Sequence, residues 1–229
     1  MSNRVFVTGV SRGLGRAIAN CLANRGASVI GTVRDIERAR PTNGVSFLPL
    51  DLGSDDSIEA IADLVDAPID ILVNNIGVAK SDRSRGREEA PPSLLTREEF
   101  KFVFDINVVG TFLVTRALLP KLRQGRQKLI VNVSSNLGSI GDNESGGRYA
   151  YRCSKAALNM LTKCLAADLR ADGISCLSYH PGWVSTDMGG EGAPLSPESA
   201  AGAFCDFLER TGASSSGGFL EASGTTLNW

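Results

Sequence analysis

Short apolar runs alternate with longer amphipathic segments along the chain. "RVFVTG" carries the β-branched apolar run of a strand buried on both faces. "LGRAIANCLANRG" follows with apolar positions at helical spacing and Gly26 just past its end. "SVIGTV" and "VSFLPLDL" read as the next two strands. "SDDSIEAIADLV" reads as a helix, with Ser54 as its N-cap and acids in its first turn. "IDILVNNIG" is a fourth strand, and the charged, Pro-bearing "KSDRSRGREEAPPS" (80–93) a surface loop. "TREEFKFVFDINVVGTFLVTRALLPKL" is a long helical pattern opened by a capping box of Thr96 and Glu99. "KLIVNVSS" is a strand, the stretch from about Tyr149 to Leu169 a helix, and "ISCLSYH" a strand. A helix over Pro197 to Arg210 and a short strand over Phe219 to Glu221 close the pattern. Strands that alternate with helices predict an α/β fold. We expect one doubly wound Rossmann domain over residues 1–229, with about seven mostly parallel strands and helices on both faces.

Composition excludes several classes. The 229 residues carry 24 basic and 25 acidic side chains, which argues against a nucleic-acid footprint or a basic membrane patch. No apolar run reads as long enough to span a bilayer, and "MSNRVFVTGV" lacks the pattern of a secretory or transit signal. The five cysteines are scattered with no C-x-x-C pair, and there is a single histidine. No metal site is expected, and reduced thiols in a cytoplasmic protein are.

The first strand-to-helix turn, "VTGVSRGLGRAIA", places Gly9, Gly13 and Gly15 where a backbone must approach a pyrophosphate closely. The helix that follows offers free N–H groups and a positive dipole end. Ser11, Arg12 and Leu14 belong to the same turn. A dinucleotide site is therefore expected here. At the end of the second strand stands Arg34, which together with Arg12 suits a 2′-phosphate. Asp35 is a counter-signal that would suit a ribose 2′-OH. NADP(H) is the expected cofactor, favoured over NAD(H).

"RYAYRCSKAALN" holds two of the chain's three tyrosines. Tyr151 has Lys155 one helical turn downstream on the same face, whereas Tyr149 has Cys153 there. A free phenol titrates near ~10, and a neighbouring ammonium lowers that value. Spacing by itself fits a chance i,i+4 pair on a helix surface just as well; with the motifs that follow it makes Tyr151 the expected proton carrier, and Tyr149 is assigned to packing or to the wall of a substrate site.

In order along the chain come T-G-x-x-x-G-x-G (Thr8 to Gly15), "NNIG" (Asn74 to Gly77), Asn107 in "DINVVG", and Ser135 in "VNVSSNLG". Y-x-x-x-K (Tyr151 to Lys155) and "PGWVSTDM" (Pro181 to Met188) complete the series. Together they resemble the short-chain dehydrogenase/reductase family. "GSIGDNESGGRYAYRCSKAALN" and "HPGWVSTDMGG" further resemble its C-factor-like branch, which includes the sniffer-type carbonyl reductases.

The resemblance implies a catalytic set of Asn107, Ser135, Tyr151 and Lys155. Ser135, rather than Ser134, would bond the substrate carbonyl and the tyrosine hydroxyl, while Ser134 suits a capping role. Lys155 would hold the nicotinamide ribose, and Asn107 a water in a relay with the lysine. Asn74 would tie the fourth strand to the first near Thr8. Asn75, Ile76 and Gly77 would lie along the adenosine ribose, and Asp51 and Leu52 beside adenine. Pro181, Gly182, Val184 and Thr186 would border the nicotinamide. His180 is expected to have no catalytic role. The polar stretch between Ser135 and Tyr151 is longer than is usual in the family, and the C-factor-like branch shares it. The short "DMGGEGAPLSPES" segment predicts a small lid over an open site.

The expected activity is hydride transfer between NADP(H) and a small carbonyl or alcohol substrate. The alternative is a dinucleotide-binding signalling or regulatory protein of C-factor type. A homodimer or homotetramer built on the long helices is implied as well.

Overall fold

The computed structural model describes residues 3–79 and 92–229, so most of the charged loop predicted over 80–93 lies outside the described residues. The strands are β1 (Arg4–Val7), β2 (Ser28–Val33), β3 (Val45–Pro49), β4 (Ile71–Asn74), β5 (Leu129–Val133), β6 (Ser175–His180) and β7 (Phe219–Glu221). The helices are α1 (Gly13–Asn24), α2 (Asp55–Leu64), α3 (Arg97–Phe104), α4 (Thr111–Arg123), α5 (Tyr149–Asp168) and α6 (Pro197–Arg210). The seven strands form one sheet in the order β3-β2-β1-β4-β5-β6-β7, and every pair of neighbours runs parallel.

Alternation along the strands divides the core into two layers. Val5, Val7, Val29, Val73 and Val131 pack with α1 and α6 through Ile18, Leu22, Phe204 and Phe207. Phe6, Leu72, Ile130 and Cys176 point to the other face, against Ile58 and Ile61 of α2, Val114 and Leu118 of α4, and Leu165 of α5. Side chains change face at every residue of a strand, so Val5, Phe6 and Val7 serve both layers.

The helix starts follow their side chains. The Ser54 and Ser196 hydroxyls accept from the Ser57 and Ser199 N–H groups, and Thr96 and Glu99 form the complete capping box. Pro197 occupies the first turn of α6, where its missing N–H costs nothing.

One feature of the long helical run was not foreseen. Between α3 and α4 the chain widens into a π-helical segment, Asp105–Gly110. Such segments concentrate at functional sites. By length and composition the whole run, Arg97–Arg123, is long and apolar enough to cross a bilayer, contrary to the sequence reading. Within this run Val114, Leu118 and Leu122 are wholly buried against the sheet.

Candidate active site

A cleft of about 2050 Å³ runs along the C-terminal ends of the strands. In open α/β sheets this edge, where strand order reverses, is where ligands bind. Here the reversal lies between β1 and β4. A second pocket of about 420 Å³, between α6 and the turn after β7, has Arg210 as its only titratable lining group.

The glycine turn forms one end of the cleft. Gly9 and Gly13 have φ of +75° and +56°. A Cβ on Gly15 would stand 2.2 Å from the Gly9 carbonyl oxygen and 2.3 Å from Asn75 Nδ2. No side chain fits there, so the backbone of α1 presses onto the turn. The turn is anchored to β2, with the Gly9 N–H donating to Thr32 Oγ1 at 3.0 Å. Arg12 occupies the N-cap of α1 in extended backbone and makes no side-chain cap, and the first turn of α1 holds no acid. The first N–H groups of this helix therefore face the cleft without a capping side chain, and the helix dipole favours an anion there. Both features fit the pyrophosphate of a dinucleotide.

The structure corrects one assignment beside this turn. Asn75, not Asn74, ties β4 to β1: its N–H donates to Thr8 Oγ1 at 2.9 Å and its Nδ2 to the Thr8 oxygen at 2.9 Å. Asn74 points into the sheet, donating to Thr115 Oγ1 at 2.9 Å and Asn132 Oδ1 at 2.8 Å. Alternation explains the exchange, since successive residues leave a strand in opposite directions.

Gly9, Ser11, Arg12, Gly13, Leu14, Gly15, Arg34, Asp51, Leu52, Asn75, Ile76 and Gly77 all line the cleft. Arg12 Nη1 also pairs with the exposed Asp187 Oδ2 at 2.7 Å across the mouth. Asp35 is engaged too, by Arg38 at 3.1 Å and by the Glu37 N–H at 3.0 Å. Arg38, which sequence reasoning missed, joins Arg34 in lining this end. Asp51 Oδ1 accepts from the Gly53 N–H at 3.0 Å, holding the turn after β3.

Pro181, Gly182, Val184 and Thr186 line the opposite wall. The loop that carries them folds back on itself, the Ser185 N–H donating to the Leu195 oxygen at 2.8 Å and Trp183 Nε1 to the Gly189 oxygen at 2.8 Å. Trp183 and Met188, which line this wall, are 56% and 46% exposed among the described residues. His180 lines the floor with its Nδ1 buried and unpartnered among the described residues, and burial lowers its pKa against the opposing pull of Glu221.

At the centre stand Ser135, Tyr151 and Lys155. Ser135 follows β5 and caps a short 3-10 turn, accepting from the Leu137 N–H at 3.2 Å. The next residues, Asn136–Gly138, lie on α5 so closely that a Cβ on Gly138 would meet Lys155 Cβ at 2.9 Å. This contact sets Ser135 against α5, and Ser135 and Tyr151 line the cleft together. Ser134 points away and donates to Asn159 Oδ1 at 2.6 Å, so the capping role belongs to Ser135 and not to Ser134. Lys155 is 3% exposed. Its Nζ donates to the Val133 oxygen at 2.8 Å and lies 5.7 Å from the centre of the Tyr151 ring.

Two expectations change here. Burial raises the Tyr151 pKa above its ordinary value, while the nearby Ser135 hydroxyl and the Arg148 charge pull it down less strongly. Burial also lowers the Lys155 ammonium, to about 8. The lowered phenol predicted from the i,i+4 spacing is thus not found: removal from water outweighs the neighbouring cations. Tyr149 is 39% exposed at the start of α5 and neither packs in the core nor lines the cleft.

Asn107 sits in the π-helical segment, wholly buried, and does not line the cleft. Its Oδ1 accepts from the Val78 N–H at 2.8 Å, and its Nδ2 donates to the Val78 oxygen at 2.8 Å and to Ser154 Oγ at 2.9 Å. Ser154 in turn donates to the Tyr151 oxygen at 2.7 Å. Asn107 is therefore a positioning residue that joins the segment after β4 to α5. Its Oδ1 and Lys155 Nζ both approach Gly77, 3.6 Å and 3.2 Å from where a Cβ would stand.

Sequence reasoning also missed Arg148 and Arg152, which line the cleft on either side of Tyr151. The only available signal was their place in the "GGRYAYR" stretch.

The comparisons agree with this geometry. The family model described as short chain dehydrogenase matches residues 3–194. The chain is 40% identical to "C-signal" of Myxococcus xanthus over 163 residues, 71% of this chain and 93% of that protein. Among solved structures, the carbonyl reductase Sniffer of D. melanogaster matches with a TM-score of 0.90 at 32% identity, covering 100% of both chains. An NADPH-bound carbonyl reductase from chicken fatty liver matches at 0.89 and 31%, covering 100% of this chain and 99% of that one. The chain belongs to the short-chain dehydrogenase family, and it is an oxidoreductase of the C-factor and sniffer type.

Proposed function

We propose that the cleft reduces a carbonyl group at the expense of NADPH, with Ser135, Tyr151 and Lys155 as its catalytic residues. The observation that carries this reading is that Ser135, Tyr151 and a buried Lys155 come together in the one cleft that starts at the glycine turn, with Lys155 Nζ 5.7 Å from the centre of the Tyr151 ring. When bound, the nicotinamide supplies the hydride. The Ser135 hydroxyl orients the substrate carbonyl and polarises it. Tyr151, whose raised pKa keeps it protonated at neutral pH, donates the proton that the developing alkoxide needs. Lys155 holds positive charge beneath that oxygen and would bond the ribose hydroxyls. Gly9 to Gly15 would take the pyrophosphate, and the Val184–Thr186 stretch would border the nicotinamide.

NADPH over NADH is supported by Arg34 and Arg38 at the end of β2, with Asp35 already neutralised by Arg38. The bound cofactor named for the chicken-liver relative points the same way. The likeness to C-signal favours a second reading, a dinucleotide-dependent signalling role. Binding alone has no use for the hydroxyl pair, so turnover separates the two. A homodimer is supported by the exposed Phe112 of α4 and Met160 of α5. Five free cysteines suit a reducing, cytoplasmic compartment.

The test is a panel of aldehydes, ketones and quinones with NADPH and NADH side by side. We expect NADPH oxidation with at least one substrate class. No oxidation across the panel, with NADPH-dependent capture of a protein partner, would favour the signalling reading instead.

A further inference from the structure

The part of the cleft beyond Tyr151 is walled by Ser145, Gly146, Arg148 and Arg152. Arg152 lies next to Tyr151 in α5 and is half-buried. Its Nη2 donates to Ser145 Oγ at 2.8 Å, which fixes the guanidinium against the wall. Its Nε is buried and has no hydrogen-bond partner among the described residues. An unmet N–H of a charged group in a half-buried site is costly, so this guanidinium is held where it is by the fold around it. Arg148 adds positive charge on the same side, close enough to act on the Tyr151 hydroxyl. It holds left-handed backbone, φ 46° and ψ 38°, at the N-cap of α5. Non-glycine residues in that region are strained and cluster at ligand sites. The acids that line the cleft come from elsewhere: Asp35, Asp51 and Asp55 from the ends of β2 and β3, Asp105 from the π-helical segment, and Asp187 from the loop after β6. Among the described residues, the charged groups that line this side of the cleft are Arg148 and Arg152.

We propose that Arg152 is a specificity-determining residue that selects carbonyl substrates carrying a carboxylate on the arm beyond the carbonyl. A planar guanidinium matches a planar carboxylate with two parallel hydrogen bonds, which a neutral group cannot return. The proposal rests on the reductase reading of the same cleft.

The probes are 4-formylbenzoate and its methyl ester, which differ only in charge at the far end. Their kcat/KM ratio would be measured with NADPH, and their dissociation constants by calorimetry on the NADP-loaded protein. Wild type is expected to favour the carboxylate by about tenfold or more. In Arg152→Gln that ratio is expected to fall to near one, and in Arg152→Lys to recover part of the way. A ratio near one in wild type, failure of the carboxylate to bind, or a ratio unchanged in Arg152→Gln would each overturn the proposal. If neither aldehyde turns over but the carboxylate still binds preferentially through Arg152, the reductase reading fails and this one stands.

Discussion

The proton on Tyr151 and the charge on Lys155 respond to the same burial in opposite directions. Burial raises the phenol and lowers the ammonium to about 8. At neutral pH the pair is therefore a neutral acid beside a cation, the state suited to reduction. Raising the pH through about 8 removes the Lys155 charge first, so kcat/KM for reduction should fall across that range. A pH profile of kcat/KM with a falling limb near there in wild type checks this, and a flat profile up to about pH 10 would contradict it. Tyr151→Phe should cost about 10²–10⁴ in kcat while leaving dinucleotide binding in place, as read by fluorescence titration. The stability sign follows from the same shift. Between about 8 and the ordinary lysine value of 10.5 the unfolded chain binds the extra proton, so stability rises with pH there. Below that range the full cost of burying the cation is present. Lys155→Met should accordingly unfold at higher denaturant at pH 7, by on the order of 1–2 kcal/mol, even as activity is lost. The identity of these residues was legible because the ordered motifs mark the stretch and the i,i+4 spacing then selects Tyr151 over Tyr149. The direction of the phenol shift was not, since burial belongs to the folded molecule and leaves no mark in a local pattern.

The strands and helices were legible nearly end to end, because buried parallel strands and amphipathic helices have different periods. What stayed hidden lies in the polar residues between them. Asn132 Nδ2 donates to Thr162 Oγ1 at 2.9 Å, Ser178 Oγ donates to the same oxygen at 2.9 Å, and Asn74 Nδ2 donates to Asn132 Oδ1 at 2.8 Å. This chain pins α5 across β4, β5 and β6, and so places Tyr151 and Lys155 over the strand ends. Nothing in a strand's hydrophobic pattern announces that its asparagine faces another strand's asparagine. The π-helical segment was hidden for a similar reason: "DINVVG" reads as ordinary helix until Asn107 must reach Val78. Thr162→Val keeps the shape but leaves the Asn132 amide and the Ser178 hydroxyl without their acceptor. It should cost about 1–3 kcal/mol, seen as a lowered thermal midpoint.

On the scale of the whole molecule, chemistry and stability occupy opposite edges of one sheet. The C-terminal edge holds the cleft. Near the N-terminal edge Asp70, just before β4, accepts from the Arg4 N–H at 2.8 Å and the Arg126 N–H at 2.8 Å. The Arg126 guanidinium adds a contact at 3.2 Å. One carboxylate thus staples β1 and the end of the long helix to β4. Burial alone would raise its pKa, but the two backbone donors and Arg126 together hold it below the ordinary carboxylate value. A carboxyl depressed in the folded state stabilises the fold above its unfolded pKa of about 3.9, and that stability drains away as pH falls through the folded value. Asp70→Asn cannot ionise and loses the charge-assisted part of these bonds. It should be less stable than wild type at pH 7, with the gap closing as both are titrated into acid below about pH 4. Denaturant midpoints measured from pH 7 down to pH 2 decide the matter. Two parallel curves would mean that the staple acts through its shape alone and that its charge contributes nothing.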